Sequence, residues 1–213
     1  KRYIRLNKKY VTGSVIPAYQ SLIDALLELK GSEKNQQGLC YLPKGKEYYA
    51  YLVESMTGSA RSVSQIDQWL DETLQNAQKK MSQVLSEAPD AYYDAQNVKY
   101  PSTDPVETIR WLQEQITADF PELSDDIRCN VKYVDASLED SLSPAFYLTS
   151  PMDAYQDNVV YINQKEEYDL SQAFPTVAHE SYPGHLYQNA YFQEQDPAPI
   201  RSVISIGGYT EGW

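Results

Sequence analysis

Residues Asn130–Asn163 read NVKYVDASLEDSLSPAFYLTSPMDAYQDNVVYIN. Three short runs stand out. NVKYV (Asn130–Val134) alternates polar and apolar residues, while AFYLT (Ala145–Thr149) and NVVYIN (Asn158–Asn163) are β-branched and aromatic. Such runs suit a pleated, half-buried surface, and the Pro, Asp and Ser between them are turn formers. Three short strands are therefore predicted here. Everything around them carries a helical period, so the stretch decides the class: an α+β fold, predominantly helical, with a small sheet ahead of the last helical segment.

Upstream, four segments repeat apolar residues at three- and four-residue spacing, the mark of an amphipathic helix. Ile16, Tyr19, Leu22, Ile23, Leu26 and Leu27 form the first stripe, and Gly31 is placed to stop it. GKEYYAYLVESMTG (Gly45–Gly58) is a shorter helix bounded by glycines. Ser64 with Asp67 resembles a capping arrangement and opens a long helix ending before Pro89, with Ile66, Trp69, Leu70, Leu74, Ala77, Met81, Val84 and Leu85 on one stripe. Asp104 as N-cap, Pro105 in the first turn and Glu107 open a fourth, whose core face is Val106, Ile109, Leu112, Ile116 and Phe120. Downstream of the strands a last helical segment runs from about Ser171 to Gln193. The chain thus reads as a helical scaffold over residues 1–128, followed over 129–213 by the sheet and that last segment.

The bulk composition narrows the function. The net charge of −12 and a pI near 4.6 argue against nucleic acid or an anionic membrane as the main partner. Lys1, Arg2, Arg5, Lys8 and Lys9 make the first nine residues basic, as a binding arm or the solvated end of a helix. No run approaches the ~20 apolar residues of a transmembrane span. Cys40 and Cys129 are too few and too far apart for a disulfide framework or a cysteine metal site. The chain begins with Lys and stops at Trp213, which reads as a piece of a longer polypeptide.

The chemistry sits in HESYPGH (His179–His185), which holds both histidines of the chain. It begins like the zinc-binding helix motif H-E-x-x-H, but the second histidine comes two residues late. Ligands four apart on a helix differ by about 40° and face one ion, whereas six apart they differ by about 240° with ~9 Å of rise. A regular helix cannot join them. Pro183 removes the N–H that the His179 carbonyl would accept, and Gly184 tolerates backbone angles closed to other residues. Together they can bulge two residues out of the helix and return His185 to the face of His179, with Glu180 beside the metal as general base. The same residues also mark an ordinary helix break. GGYTEGW (Gly207–Trp213) adds a carboxylate, Glu211, 26 residues after His185. In one large class of zinc peptidases the third ligand is a glutamate from the next helix.

VAHESYPGHLYQ (Val177–Gln188) followed by GYTEGW (Gly208–Trp213) resembles the bacterial domain of unknown function 885 family, whose members resemble gluzincin-type zinc peptidases. The likeness extends upstream through VIPAYQSL, GKEYYAYL, SPAFYLTSP and VVYINQ. It implies Zn2+ as cofactor, held by His179, His185 and Glu211, with Glu180 as catalytic base in peptide hydrolysis. It also implies an edge strand that pairs with an extended peptide substrate. Either SPAFYLTSP or VVYIN would be that strand, with Tyr147 or Tyr161 lining the groove. Other divalent metals stay open. The rival is a non-catalytic module that binds peptide or a partner protein through the same groove. Family members continue well past E-G-W, so this stretch reads as a catalytic domain cut short at its C-terminal end. No independent activity is expected of it, and only weak zinc binding, because the helix of Glu211 would not be anchored. An N-terminal signal ahead of it would make the protein exported or lipid-anchored.

Overall fold

The computed structural model describes residues 1–32, 37–169 and 173–213. The chain divides into two compact units, Lys1–Leu52 and Val53–Trp213.

The first unit is helical. Helix α1 (Arg2–Tyr10) continues through a π-helical turn at Val11–Val15 into α2 (Ile16–Leu29). Pro17 lacks the N–H that would close the regular bond to the Gly13 carbonyl, and the widened turn absorbs that loss. The basic residues of α1 are all exposed, as the solvated end of a helix. Gly31 follows α2 at φ +83°, a conformation that favours glycine, so it ends the helix as its placement predicts. Helix α3 (Gly45–Thr57) starts and stops at the predicted glycines and crosses the division between the units. Gly45 is required by space: a Cβ there would run into the Leu39 carbonyl.

In the second unit α4 (Val63–Glu87) opens on Ser62, two residues ahead of the predicted Ser64. The Ser62 hydroxyl accepts from the Gln65 N–H at 3.3 Å and the Gln65 side chain accepts from the Ser62 N–H at 2.9 Å. The correction has a simple cause: Gln65 has the reach to close a reciprocal box, which the shorter Asp67 lacks. The apolar stripe of α2, expected to pack, is exposed along its length, as is that of α4 apart from half-buried Ile66. After α5 (Ala91–Gln96), α6 (Pro105–Gln115) starts as read, with Asp104 accepting from the Glu107 N–H at 2.9 Å. Ile109 and Leu112 on its predicted face are buried.

The sheet has the order β1–β3–β2, from β1 (Arg128–Tyr133), β2 (Ala145–Leu148) and β3 (Asp157–Ile162). Strand β3 runs parallel to β1 and antiparallel to β2. It is central, so VVYIN cannot be an edge strand and β2 takes that place. One face, carrying Ala145, Val160 and Ile162, forms the core with α6 and with Val177, Tyr182, Leu186 and Tyr187. Phe146 and Tyr161 stack on the opposite face with ring centroids 5.1 Å apart. The last helical segment is two helices, α7 (Phe174–Glu180) and α8 (His185–Glu194); the predicted start at Ser171 lies outside the described residues. Short helices α9 (Pro199–Val203) and α10 (Gly207–Thr210) follow. Among the described residues no helix is long and apolar enough to cross a membrane.

Both cysteines are free. Cys40 is exposed, whereas burial on β1 pushes the Cys129 thiol up to about 11. Since the thiolate is the nucleophile, a thiol reagent at pH 8 should titrate Cys40 in the native protein and Cys129 only after denaturation. Two equivalents released together from native protein would contradict this burial.

Candidate metal centre

The two histidines are brought together by the break between α7 and α8. The chain leaves α7 at Ser181, whose N–H still bonds the Val177 carbonyl at 2.9 Å. Two wide bonds then replace the regular ladder: the Gly184 N–H reaches the Ala178 carbonyl at 3.2 Å, and the Tyr187 N–H reaches the Ser181 carbonyl at 3.1 Å. Each spans six residues where a helix spans four, so two residues are bulged out. The Gln188 N–H to Gly184 carbonyl bond, at 2.9 Å, restores the helical pattern in α8. The Tyr182–Pro183 peptide inside the bulge is cis. Tyr182 is buried in the core, with burial raising its phenol pKa, and so pins the loop from below.

Gly184 matters here for space. A Cβ there would collide with the His179 carbonyl and lie 2.6 Å from the Ala178 oxygen. Gly184→Ala should therefore force the loop apart and cost about 1–3 kcal/mol, the range for overpacking a tight site. Chemical denaturation of the parent and the variant measures this; equal midpoints and slopes would show that the loop relaxes freely.

With the bulge in place, the imidazole centroids of His179 and His185 lie 4.4 Å apart at 78°. Both turn Nε2 to one carboxylate: His179 Nε2 lies 3.5 Å from Glu211 Oε2, and His185 Nε2 lies 3.6 Å from Glu211 Oε1. These separations are too long for a charge-assisted hydrogen bond, which spans about 2.7–2.9 Å. Two ligands of one tetrahedral zinc, at ordinary Zn–N and Zn–O lengths, stand about 3.4 Å apart. Each histidine faces a different oxygen of Glu211 at close to this separation, and two imidazoles with one carboxylate are a donor set that suits a zinc ion. The site is open on one side: the side chains of His179 and Glu211 are 51% and 65% exposed, against 17% for His185.

Glu180 joins this group. Ligand atoms of His179, Glu180 and His185 all lie within 4.8 Å of one another. Glu180 Oε2 accepts the backbone N–H of Tyr147 at 2.8 Å, at the edge of β2 away from β3. Tyr147 thus reaches the site through its backbone. Its hydroxyl donates to buried Asn158 at 2.7 Å and accepts from the Asn189 side chain of α8 at 3.0 Å, within a polar network. Tyr161 is not brought to the site. Successive strand residues face opposite ways, and Val160 and Ile162 take the face toward the helices.

Several contributors were not legible as site residues. Asn158 and Asn189 carry no motif and gain meaning only when β2, β3 and α8 meet. Trp213 donates its indole N–H to the Pro183 carbonyl at 2.7 Å, and Gln188 donates to the Tyr209 carbonyl at 3.2 Å. The segment of Glu211 is therefore tied to the histidine loop, in contrast to the unanchored helix expected from the sequence. The E-G-W wording was the available signal for Trp213.

Fold and site together define a predominantly helical α+β protein in which a three-stranded sheet backs a bulged pair of histidine-bearing helices. Residues 3–213 match the family described as "Bacterial protein of unknown function (DUF885)", and the chain belongs to that family. Its fold is similar to a crystal structure described as a "putative lipoprotein" from Colwellia psychrerythraea, with a TM-score of 0.73 and 23% identity, over 95% of this chain and 38% of that one. The chain thus spans well under half the length of that relative. No curated protein matches it.

Proposed function

We propose that this chain carries the active centre of a zinc-dependent, gluzincin-like peptidase. The observation that supports this most directly is the convergence of His179 and His185 Nε2 on the two oxygens of Glu211, at ligand spacing and not at hydrogen-bond spacing. His179, His185 and Glu211 would hold the ion. Zinc, when bound, supplies a Lewis acid that acidifies water and polarises a carbonyl.

The remaining chemistry belongs to the chain. Glu180 takes the proton of the attacking water and passes it to the leaving amine. The Tyr147 N–H fixes Glu180 Oε2, which leaves the second oxygen to exchange the proton. The edge of β2 away from β3 runs beside this carboxylate, and the backbone groups there that are not already bonded would pair with an extended peptide, as in strand addition. The Colwellia relative's description supports an exported or lipid-anchored location for the whole protein.

The test is made on the full-length protein, because the chain spans 38% of its solved relative. Elemental analysis should find one zinc per molecule, and a broad peptide library should be cleaved. Absence of metal after zinc reconstitution would sink the reading. Bound zinc with peptide binding and no turnover would favour the rival, a peptide- or protein-binding module.

A further inference from the structure

We infer that Trp213 is a positioning residue for the metal centre, holding Glu211 against the histidine pair through its indole N–H. The inference rests on the metal reading above and concerns how the third ligand is kept in place. Helix α10 has four residues, too short to be rigid by its own hydrogen bonds. Glu211 follows it directly and is 65% exposed, so its own side chain supplies little packing. The position of its carboxylate must come from tertiary contacts around it.

Those contacts are specific. Before Glu211, Gly208 packs so closely that a Cβ would stand 3.0 Å from Thr57 Cα. After it, Gly212 is wound so tightly that a Cβ would stand 2.5 Å from the Gly208 carbonyl oxygen. Trp213 then closes the segment. Its ring lies 6.3 Å from Tyr187, near parallel at 29°, and 6.3 Å from Phe120. Its N–H bonds the carbonyl of Pro183, a residue inside the bulge that separates the two histidines. One hydrogen bond therefore joins the loop that sets the His179–His185 spacing to the segment that presents Glu211. Gln188 to Tyr209 is a second, longer tie on the same side. Residues that orient metal ligands typically cost 10–100-fold in affinity when lost.

Trp213→Phe keeps an aromatic ring and removes the N–H. Zinc titration into metal-free full-length protein, competed against a chelator, should show about 10–100-fold weaker binding for Trp213→Phe. Trp69→Phe, on the exposed stripe of α4, should bind as the parent does. The cobalt-substituted Trp213→Phe protein should show an altered visible absorption band, while the metal-free melting midpoint stays near that of the parent. A merely structural role would move the midpoint and leave the cobalt band alone. In the parent itself, zinc should slow solvent exchange of the Trp213 indole proton, a readout independent of any variant. Unchanged zinc affinity and cobalt spectrum in Trp213→Phe, or unchanged indole exchange in the parent, would overturn the inference and leave the metal centre standing. A parent protein that binds neither zinc nor cobalt would overturn both.

Discussion

Glu180→Gln in the full-length protein should keep its zinc and lose peptide hydrolysis by at least the ~10²–10⁴-fold typical of removing a positioned general base. The substitution is conservative toward the structure. A glutamine carbonyl can still accept the Tyr147 N–H that holds Oε2 now, so the side chain keeps its place beside the histidines. What is lost is the ability to take a proton at neutral pH. Because Glu180 follows His179 directly, it would lie beside the proposed ion without being needed to hold it, and the metal should remain. Hydrolysis measured at saturating zinc, with metal content determined on the same sample, separates the two effects. Near-parent turnover in this variant would mean that Glu180 is not the base and that the gluzincin mechanism does not apply.

His179→Ala should do what Glu180→Gln does not, removing metal and activity together. The side chain is half exposed and its ring packs edge-on against His185, so the fold should survive its loss. The ion would keep two protein ligands, His185 and Glu211, short of the three that a catalytic zinc needs. The loss of zinc affinity should exceed the 10–100-fold cost of removing a supporting residue. Calorimetry and circular dichroism on the same protein decide the case. Retained stoichiometric zinc would place the ion elsewhere in the chain.

How much of this was legible in the sequence differs from element to element. Local signals read well where local chemistry governs. Asp104–Pro105–Glu107 starts α6 as expected, and Gly31 and Gly58 follow helices at positive φ. The three strands were visible from their β-branched and aromatic composition. The start of α4 was misread by two residues because a pair resembling a cap, Ser64 and Asp67, lies next to the true one. The choice of edge strand was not legible at all. Strand order depends on which strand pairs with two neighbours, and β3 does so through a parallel ladder to β1 that no turn between adjacent strands announces.

The sequence by itself determined that the two histidines could meet only through a break. Six-residue spacing excludes a regular helix on geometry alone, and Pro183 with Gly184 supplies the means within the same seven residues. It also determined the start of α6 at Asp104 and the stops of α2 and α3 at Gly31 and Gly58, because caps and glycines act over three or four residues. The tertiary structure decided what surrounds that break. Glu211 is 26 residues from His185, Tyr147 is 33 residues from Glu180, and Trp213 is 30 residues from Pro183. Contacts across such separations depend on how the sheet, α7, α8 and the last short helix pack. The side-chain hydrogen bonds that place Glu180 and tie down the segment of Glu211 end on backbone groups, the N–H of Tyr147 and the carbonyls of Pro183 and Tyr209. Every residue but proline carries such a donor, and every residue carries such an acceptor, so residue identity cannot reveal which of them a fold will turn toward a site.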